Sequence, residues 1–376
     1  MELTVGIAVL GCGTVGARVA ERLLHERNTL QRRSGTRYRV RGIAVADLHK
    51  ARPDSIDRCL FTADAASLVD DPHVDLVVEV IGGCAKAAEL VERALYRGRH
   101  VVTANKELLA THGPRLHALA ASSGAAFRFE GAVGAAVPVL RVLGEALAGD
   151  AVASVAGVVN GTCTAVLSAM ESGLSFDEAL AGAQSLGYAE ADPTLDIDGA
   201  DSAHKLALLA QAAFGLAVIT PRLRYSGIRA IGQRDIARAR MSGLRLRPVV
   251  AAVRTERGIL AESAAVAVPH DHEFARTAGP QSVVQVAARD AGTLTLRGLG
   301  AGGAATASAV LGDLVTLMQA VAERRDLSLP SRRAPLEPAI EVEPLFPRLP
   351  RCSELPEYHL WNDSLPAALP AVAATA

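Results

Sequence analysis

The chain has 376 residues, which is long enough for two domains, because a single hydrophobic core rarely grows beyond about 250–300 residues. Half of the residues are hydrophobic, and the net charge is -1. A near-neutral chain argues against a basic nucleic-acid surface and against a polybasic membrane anchor. Residues 1–10 predict a strand rather than a signal peptide, and no uninterrupted apolar run approaches the roughly 20 residues that span a bilayer. We therefore expect a cytoplasmic protein.

The basic residues are almost all arginines, and the cysteines form no recognisable pattern. The five cysteines are scattered and include no C-x-x-C pair, which argues against a disulfide framework and against a zinc site. Of 39 basic side chains only four are lysines, namely Lys50, Lys86, Lys106 and Lys205. Arginine is effectively always protonated, whereas lysine can lose its proton. Each lysine is therefore a candidate catalytic or binding residue. The alternative is that these four lysines are present by chance.

The first third of the chain alternates strands and helices. The hydrophobic pattern predicts strands at residues 4–10, 38–46, 75–80, 100–103 and 126–130, and helices at residues 14–24, 85–96 and 107–122. Strand–helix alternation of this kind predicts a parallel sheet covered on both faces.

The composition changes at about residue 138. An alanine-rich segment follows, with polar clusters at residues 160–164 and 188–205, and a last helix is predicted at residues 304–323. Nine of the 18 prolines then lie between Pro330 and Pro370. Because such density defeats both helices and interior strands, we expect an extended arm or disorder there, with a partner-wrapping arm as an alternative.

A glycine motif directly follows the first strand. Gly11, Gly13 and Gly16 fit the pattern G-x-G-x-x-G, with Thr14 and Val15 opening the next helix. The first glycine allows a tight turn, the second lets a pyrophosphate approach the backbone, and the third allows close helix packing. The context predicts a dinucleotide site, with a merely structural turn as the alternative.

The end of the second predicted strand gives conflicting signals on the cofactor. Asp47 could bind the ribose hydroxyls of NAD, although its spacing from the glycines exceeds the usual distance of about 20 residues. The following His49, Lys50 and Arg52 could instead bind the 2′-phosphate of NADP, or form a solvated loop. The balance favours NADP slightly.

Residues 103–106 follow a strand, so Thr103 and Lys106 should lie at its carboxyl end, where open parallel sheets place ligands. Lys106 could contact the nicotinamide or the substrate. The alternative is a surface lysine at a helix start, where the helix dipole disfavours positive charge.

A second polar cluster combines carboxylates with a lysine. Residues 190–196 carry three carboxylates around a proline and lead into Asp201 and Lys205, which are spaced i,i+4 on one predicted helix face. Beyond Lys205 the helix is apolar nearly all round, which predicts burial. A lysine at the mouth of a buried helix costs desolvation unless it has a partner or a task. The alternative is a structural Asp201–Lys205 ion pair.

A glycine-rich stretch, residues 298–303, precedes the last predicted helix. It could let the chain pass close to cofactor or substrate, or serve as a flexible linker.

Together these motifs resemble the homoserine dehydrogenase family, and the likeness runs in order from about residue 5 to residue 325. Its most specific part is Gly187-Tyr188-Ala189-Glu190-Ala191-Asp192-Pro193 with the downstream Asp201 and Lys205. The other matching stretches are residues 11–16, 101–106, 160–162, 300–303 and 306–308.

The resemblance implies a Rossmann-type NAD(P)-binding domain formed by residues 1–137 with 300–326. It also implies a mixed α/β domain for substrate binding and dimerisation at residues 138–299, leaving residues 327–376 as the proline-rich tail. The implied activity is the reversible NAD(P)H-dependent reduction of L-aspartate 4-semialdehyde to L-homoserine by a homodimer, a step in threonine, methionine and isoleucine biosynthesis.

The resemblance also implies residue roles. Lys205 would be the proton donor and acceptor at the substrate oxygen, with Asp201 and Lys106 beside it. This agrees with the chemistry, because hydride delivery to an aldehyde builds negative charge on the oxygen, which a nearby lysine can neutralise and protonate. The hydride itself is supplied by the nicotinamide. The remaining implied contacts are Glu190 and Asp196 to the substrate ammonium, Gly161, Thr162 and Tyr188 along the substrate pocket, and Gly300 and Gly302 to the cofactor.

A monovalent cation, sodium, is implied at Glu130, Val133, Ala135 and Val137, bound mostly through carbonyl oxygens. The tail of about 50 residues cannot supply the ACT regulatory domain of many bacterial relatives, so we expect no ACT-mediated threonine feedback.

Two rival hypotheses remain from the sequence. One is a related dehydrogenase acting on another amino-acid semialdehyde, and the other is a catalytically silent NAD(P)-binding protein. Retention of both Lys106 and Lys205 in a lysine-poor chain argues against the second.

Overall fold

A computed structural model describes residues 4–218, 220–256 and 258–323 and, further on, residues 337–338, 342–346, 351–353 and 358–361. The chain divides into two units. The first comprises residues 1–136 with 302–336, and the second comprises residues 137–301 with 337–376.

The first unit is built on a parallel sheet. Its strands are β1 (Thr4–Leu10), β2 (Arg37–Ala44), β3 (Phe61–Thr62), β4 (Leu76–Glu79), β5 (His100–Thr103) and β6 (Phe127–Arg128). They lie in the order β3-β2-β1-β4-β5-β6, and every neighbouring pair is parallel. The order reverses direction between β1 and β4, which is the switch point of a Rossmann-type sheet. The predicted parallel α/β fold is confirmed.

Helices connect these strands, as crossovers between parallel strands require. They are α1 (Thr14–His25), α2 (Arg27–Ser34), α3 (Ala65–Asp70), α4 (Ala85–Tyr96) and α5 (Lys106–Ser123). The strand expected at residues 126–130 is shorter than predicted, because Glu130–Ala132 forms a 3-10 turn. The Glu130 N–H donates to the Asp313 carboxylate at 3.0 Å, which draws this segment away from the strand direction.

The second unit has a mainly antiparallel sheet. Its strands include β7 (Val152–Val158), β9 (Arg224–Tyr225), β10 (Leu244–Arg254), β11 (Ile259–Pro269), β12 (Gln281–Ala288) and β13 (Gly292–Leu299), whereas β8 (Leu216–Ala217) lies outside this sheet. The order β13-β12-β7-β10-β11 is antiparallel throughout. Its helices are α6 (Val139–Arg141), which continues into a π turn at Val142–Ala146, then α7 (Gly161–Glu171), α8 (Phe176–Ser185), α9 (Thr194–Ile197), α10 (Ala200–Phe214) and α11 (Gln233–Met241). Helices α7, α10 and α11 all pack against β10.

The last long helix, α12 (Gly303–Ala322), belongs to the first unit and packs against α1. Among the described residues it alone has the length and hydropathy of a membrane span. Its apolar side chains are buried in the hydrophobic core that β1, β2 and α1 also form, so α12 is a core helix. The buried apolar positions of α12 are Ala305, Ala307, Val310, Leu311, Leu314, Leu317 and Met318.

The described parts of the proline-rich tail lie in the second unit as short extended segments. Strand β14 (Glu337–Pro338) pairs with β8, and β15 (Val342–Glu343) pairs with β11. Further on, Trp361 donates its backbone N–H to the Ala267 carbonyl at 2.8 Å. The Trp361 ring is buried and lies 5.1 Å from the ring of Phe274.

We expect Trp361→Ala to lower the free energy of unfolding of the second unit by about 3 kcal/mol, because truncating a buried aromatic side chain leaves a cavity. The measurement is urea denaturation of the full chain. The matched control is Met241→Ala, since Met241 is 80% exposed and its loss should change stability little. Equal effects of the two substitutions would show that the tail does not contribute to this core.

Candidate active site

Lys205 is buried in the second unit and paired with a carboxylate. Only 8% of Lys205 and 1% of Asp201 are exposed, and Lys205 Nζ lies 2.9 Å from Asp201 Oδ2. The same nitrogen donates to the Val159 carbonyl at 2.8 Å. An ammonium has three N–H groups, so two acceptors among the described residues leave one N–H for a further oxygen. The predicted i,i+4 geometry therefore gives a fixed amine that retains a donor.

The first turn of α10, which carries Asp201, is held by tight backbone packing. Gly199 precedes the helix with φ of 92°, and a Cβ there would lie 2.8 Å from the Ser226 backbone. A Cβ on Gly227 would lie 1.8 Å from the Ile197 carbonyl oxygen. The two loops can pass this closely only because both positions are glycine. The loop packing thus fixes where α10 begins.

Asn160 connects the carboxylates, and sequence reasoning did not assign it a role. Its Nδ2 donates to Asp196 Oδ1 at 2.9 Å and to Asp201 Oδ2 at 3.1 Å, while its Oδ1 caps α7 by accepting from the Cys163 N–H at 2.8 Å. A useful signal was present, since asparagine before a helix is a common N-cap. The spatial proximity of Asp196 and Asp201 was not visible in the sequence.

Thr162 completes what we call the Lys205 cluster: Asn160, Thr162, Asp196, Asp201 and Lys205. The Thr162 hydroxyl lies 2.6 Å from the Tyr188 carbonyl and 3.2 Å from Asp196 Oδ2. Two carboxylates and one ammonium give the cluster a net negative charge, which suits a cationic ligand group.

The neighbours of this cluster differ in their exposure. Cys163 is buried, its Sγ lies 3.2 Å from the Asp196 carbonyl, and burial raises the pKa of its thiol well above the ordinary value. Gly161 is buried and Tyr188 is half-buried. Glu190 is exposed, and its carbonyl accepts from Gln184 Nε2 at 3.1 Å. The structure thus brings Asp196 and Thr162 to Lys205 but leaves the Glu190 side chain on the surface.

The glycine motif of the first unit has the features that a dinucleotide requires. Gly11 has φ of 103°, and a Cβ there would lie 2.5 Å from the Val80 carbonyl oxygen. A Cβ on Gly16 would lie 2.2 Å from the Gly11 oxygen, whereas a Cβ on Gly13 would meet nothing within 4 Å. Gly11 and Gly16 are therefore required by packing, and Gly13 leaves open space at the amino end of α1. Since no side chain caps α1, its first N–H groups can bind an anion such as a pyrophosphate.

The loop after β2 holds both of the conflicting signals. Asp47 is exposed, and its Oδ1 accepts from the His49 N–H at 2.8 Å. Arg52 donates to the carbonyls of Asp47 and Lys50 at 2.6 and 2.9 Å, and its guanidinium lies over the Phe61 ring at 5.2 Å. The acid and the basic residues thus belong to one loop, and the choice between NAD and NADP stays a prediction.

Glu79, which the sequence reasoning missed, is a fully buried acid at the carboxyl end of β4. Thr103 Oγ1 donates to its Oε2 at 2.5 Å, and the Ile81 N–H donates to its Oε1 at 2.9 Å. Asn105 lies beside it, caps α5 through Leu108, and donates to the Gly83 carbonyl at 2.7 Å. Glu79 therefore ties together the loops that follow β4 and β5. An acid closing an otherwise apolar buried strand was the available sequence signal.

These contacts constrain the predicted cofactor residues of the β5–α5 loop. Thr103 is buried, and its hydroxyl donates to Glu79 and accepts from the Asn105 N–H at 3.0 Å. Lys106 is the first residue of α5. The side chain of Thr103 is thus already used in orienting the loop, and Lys106 is the member of this pair that can carry chemistry.

The remaining predicted contacts lie in two further loops. A Cβ on Gly300 would lie 1.6 Å from Ser282 Oγ, so packing alone requires glycine there, whereas Gly302, with φ of 106°, precedes α12 in open space. Glu130, Val133 and Ala135 form a buried turn of the first unit, and Val137 begins the second unit. Ala135 has φ of 48°, which is uncommon for a residue other than glycine. Sodium binding there stays a prediction.

Two family models match the chain. The model of the homoserine dehydrogenase NAD-binding domain matches residues 11–130, and that of homoserine dehydrogenase matches residues 138–315. The homoserine dehydrogenase of Corynebacterium glutamicum is 43% identical over 317 residues, covering 83% of this chain and 71% of the relative.

Solved structures agree with the sequence comparisons. A homoserine dehydrogenase from Thiobacillus denitrificans aligns with a TM-score of 0.86 and 35% identity, covering 92% of this chain and 80% of that one. A hyperthermophilic archaeal homoserine dehydrogenase in complex with NADPH aligns with a TM-score of 0.69 and 27% identity, covering 84% and 97%.

A Rossmann-type sheet with an open glycine loop, a buried lysine and these matches define an NAD(P)-dependent oxidoreductase that acts on a CH–OH group. More specifically, the chain belongs to the homoserine dehydrogenase family. The resemblance found in the sequence is confirmed, and the hypothesis of a catalytically silent protein is not favoured.

We expect Gly13→Ala to weaken NADPH binding by about tenfold or more without lowering stability, because the added methyl group meets no protein atom but occupies the space of the pyrophosphate. Fluorescence titration with NADPH and thermal unfolding measure the two effects. Gly11→Ala is the matched control and should lower stability, since its Cβ meets the Val80 carbonyl. Unchanged NADPH affinity in Gly13→Ala would contradict the assigned loop.

The free energy of unfolding of Glu79→Gln, relative to that of the unsubstituted protein, should rise as pH increases above the ordinary glutamate value. Burial raises the pKa of Glu79 in the folded protein. Its contribution to the free energy of unfolding is therefore fully present below the ordinary pKa of about 4.3 and is lost as the pH rises through the raised pKa. The neutral amide escapes this loss. Thermal unfolding across the pH range tests this, with exposed Glu89→Gln as control. A margin that stays constant with pH would refute the argument.

Proposed function

We propose that the chain catalyses the reversible NAD(P)H-dependent reduction of L-aspartate 4-semialdehyde to L-homoserine, a step of threonine, methionine and isoleucine biosynthesis. One observation carries the proposal: a buried amine, Lys205, is held in fixed geometry within a cluster of net negative charge. Such a cluster binds a substrate with an ammonium group and donates a proton to its oxygen.

Lys205 is the general acid of the reduction. Hydride transfer to the aldehyde carbon builds negative charge on the carbonyl oxygen, and the Lys205 ammonium stabilises that charge and transfers its proton to it. In the reverse direction the neutral amine takes the hydroxyl proton. Asp201 and the Val159 carbonyl hold the amine in place through two of its hydrogen bonds, which limits the reorganisation needed during the reaction.

The substrate ammonium binds at Asp196. Asp196 Oδ1 already accepts from Asn160, and Asp196 Oδ2 lies close to the Thr162 hydroxyl, so the carboxylate is held in one orientation. Glu190 supplies a second carboxylate from the exposed loop, while Gly161 and Tyr188 line the pocket. The excess of one negative charge over Lys205 favours a cationic group at this end of the substrate.

The cofactor binds to residues 1–137 with 300–326, and residues 138–299 bind the substrate and form the dimer. Gly11, Gly13, Thr14, Val15 and Gly16 hold the pyrophosphate at the start of α1. The nicotinamide supplies the hydride when bound. Lys106, Gly300 and Gly302 contact the cofactor, with Lys106 also beside the substrate, and Thr103 orients the loop that carries Lys106.

Cofactor preference, cation, assembly and location are finer parts of the proposal. The basic loop of His49, Lys50 and Arg52 favours NADP slightly over the NAD contact of Asp47, and an archaeal relative binds NADPH. Sodium binds at Glu130, Val133, Ala135 and Val137, mostly through carbonyl oxygens. The protein works as a cytoplasmic homodimer.

The direct test is an initial-rate assay of the purified protein on L-aspartate 4-semialdehyde with NADPH and with NADH. We expect oxidation of both cofactors, with the higher kcat/KM for NADPH. A panel of other amino-acid semialdehydes belongs in the same assay. A higher kcat/KM on another member of the panel would support the rival hypothesis of a related dehydrogenase.

Lys205→Met should lower kcat by about a hundredfold to ten-thousandfold, the range for removal of a general acid, while NADPH affinity stays unchanged. Methionine keeps much of the side-chain length but removes the protonatable amine. Lys86→Met is the matched control, because Lys86 is exposed and pairs only with Glu89 among the described residues. Normal turnover of Lys205→Met would eliminate the assigned role of the amine.

A further inference from the structure

A cavity lies at the opposite end of α7 from the Lys205 cluster. Its volume is about 520 Å³, which is within the usual range of small-molecule sites. The carboxyl end of α7, the last turns of α11 and the start of β10 enclose it. No residue of the Lys205 cluster lines it.

The walls of this cavity carry an excess of positive charge. Arg240 and Arg245 line it together with one carboxylate, Glu171. Glu171 is already paired with Arg247, which is fully buried and lies 2.6 Å from Glu171 Oε1. Arg245 is 3.8 Å from Glu171 Oε2. Arg245 and Arg247 thus share one carboxylate, and Arg240 adds a further positive charge, so positive charge is in excess around the cavity.

One of these arginines lacks a partner for its side chain. Arg240 is exposed, and its guanidinium makes no hydrogen bond or ion pair with the described residues. The carboxyl end of α7 carries a partial negative charge of only about half a unit, which the two arginines outweigh.

The floor of the cavity is apolar. Ile236, Ala239 and Leu246 line it and are buried. Inorganic anions gain nothing from an apolar floor, whereas an aliphatic chain gains about 25 cal/mol for each square ångström that it buries. Guanidinium groups bind carboxylates by paired hydrogen bonds. The combination fits a carboxylate joined to a short aliphatic chain.

We propose that this cavity binds a small aliphatic carboxylate, supplied by an amino acid or by an unaminated acid. The carboxylate accepts from Arg240 and Arg245, and the aliphatic part lies on Ile236, Ala239 and Leu246. Binding at this end of α7 reaches the catalytic end of the same helix, because Asn160 caps α7 and holds both Asp196 and Asp201. The helix of 11 residues spans about 16 Å.

Isothermal titration of the whole protein with defined probes tests the binding. Isovalerate and L-valine share the carboxylate and the branched chain, isobutylamine lacks the carboxylate, and inorganic phosphate lacks the chain. We expect isovalerate, L-valine or both to bind with a Kd on the order of 0.1–1 mM, and neither isobutylamine nor phosphate to match them. Binding of both acids would leave the amino group unrecognised, and binding of L-valine alone would identify the amino acid as the source. Failure of both acids to bind, or equal binding of isobutylamine or phosphate, would overturn the proposal.

Arg240→Gln should weaken this binding by about tenfold or more. Arg234→Gln is the matched control, because Arg234 is exposed on the same helix but does not line the cavity. Asp196→Asn should leave the binding unchanged, which separates the cavity from the proposed substrate site. Equal affinities of Arg240→Gln and Arg234→Gln would overturn the assigned location.

The effect on the active site rests on the proposed function, whereas the titration does not. Saturating ligand should change the KM for L-aspartate 4-semialdehyde in the unsubstituted protein but not in Arg240→Gln. A KM that does not respond to bound ligand would refute the coupling through α7. If the protein failed to reduce the semialdehyde, the proposed function would fall while the binding result stood.

Discussion

The second unit depends on placing an ammonium group inside the protein. Taking a lysine out of water is costly, and the attraction of a single carboxylate repays that cost only when the geometry is good and the remaining hydrogen bonds are made. Here the pair is one helical turn apart, so the backbone of α10 fixes the distance between Lys205 and Asp201. The Val159 carbonyl satisfies a second N–H. The arrangement leaves the third N–H as the group through which the amine can act.

Asp201 in turn needs support, and that support comes from distant parts of the chain. Asn160 shares its two amide N–H groups between Asp196 and Asp201, and this places the amino end of α7 against that of α10. The two helices are therefore linked by side chains that also belong to the site. The first unit has a similar arrangement, because the buried side chain of Glu79 links two loops beside the start of α5. In both units the polar groups that orient the candidate functional residues are buried, so their geometry is defined by the core.

Local sequence patterns predicted much of this arrangement, and long-range contacts account for what they missed. The glycine motif and the Asp201–Lys205 spacing involve residues close together in the sequence. A strand–turn–helix and an i,i+4 pair could therefore be predicted from the sequence alone. Asn160 and Asp196 are 36 residues apart, and Glu79 and Thr103 are 24 apart. Their meeting depends on how strands and helices pack, which no spacing rule encodes. The exposure of Glu190 also could not be predicted, because an acidic turn has the same sequence pattern whether it faces a pocket or solvent.

The described parts of the proline-rich tail are extended, which is one of the two forms expected from its composition. Prolines do exclude interior strands, but an edge strand needs only a few backbone contacts from its neighbour. The edge of β11 that β10 leaves unpaired is met by three short segments: β15 at Ile259 and Leu260, β9 at Glu262 and Ser263, and Leu360 at Ala267. An uncovered edge of this length is a template for unwanted strand pairing. Proline also restricts the unfolded chain, so ordering a proline-rich segment loses less conformational entropy than ordering other sequences. A segment unsuited to a sheet interior is thus well suited to covering the sheet edge, with Leu345, Phe346 and Trp361 supplying the burial that holds it there.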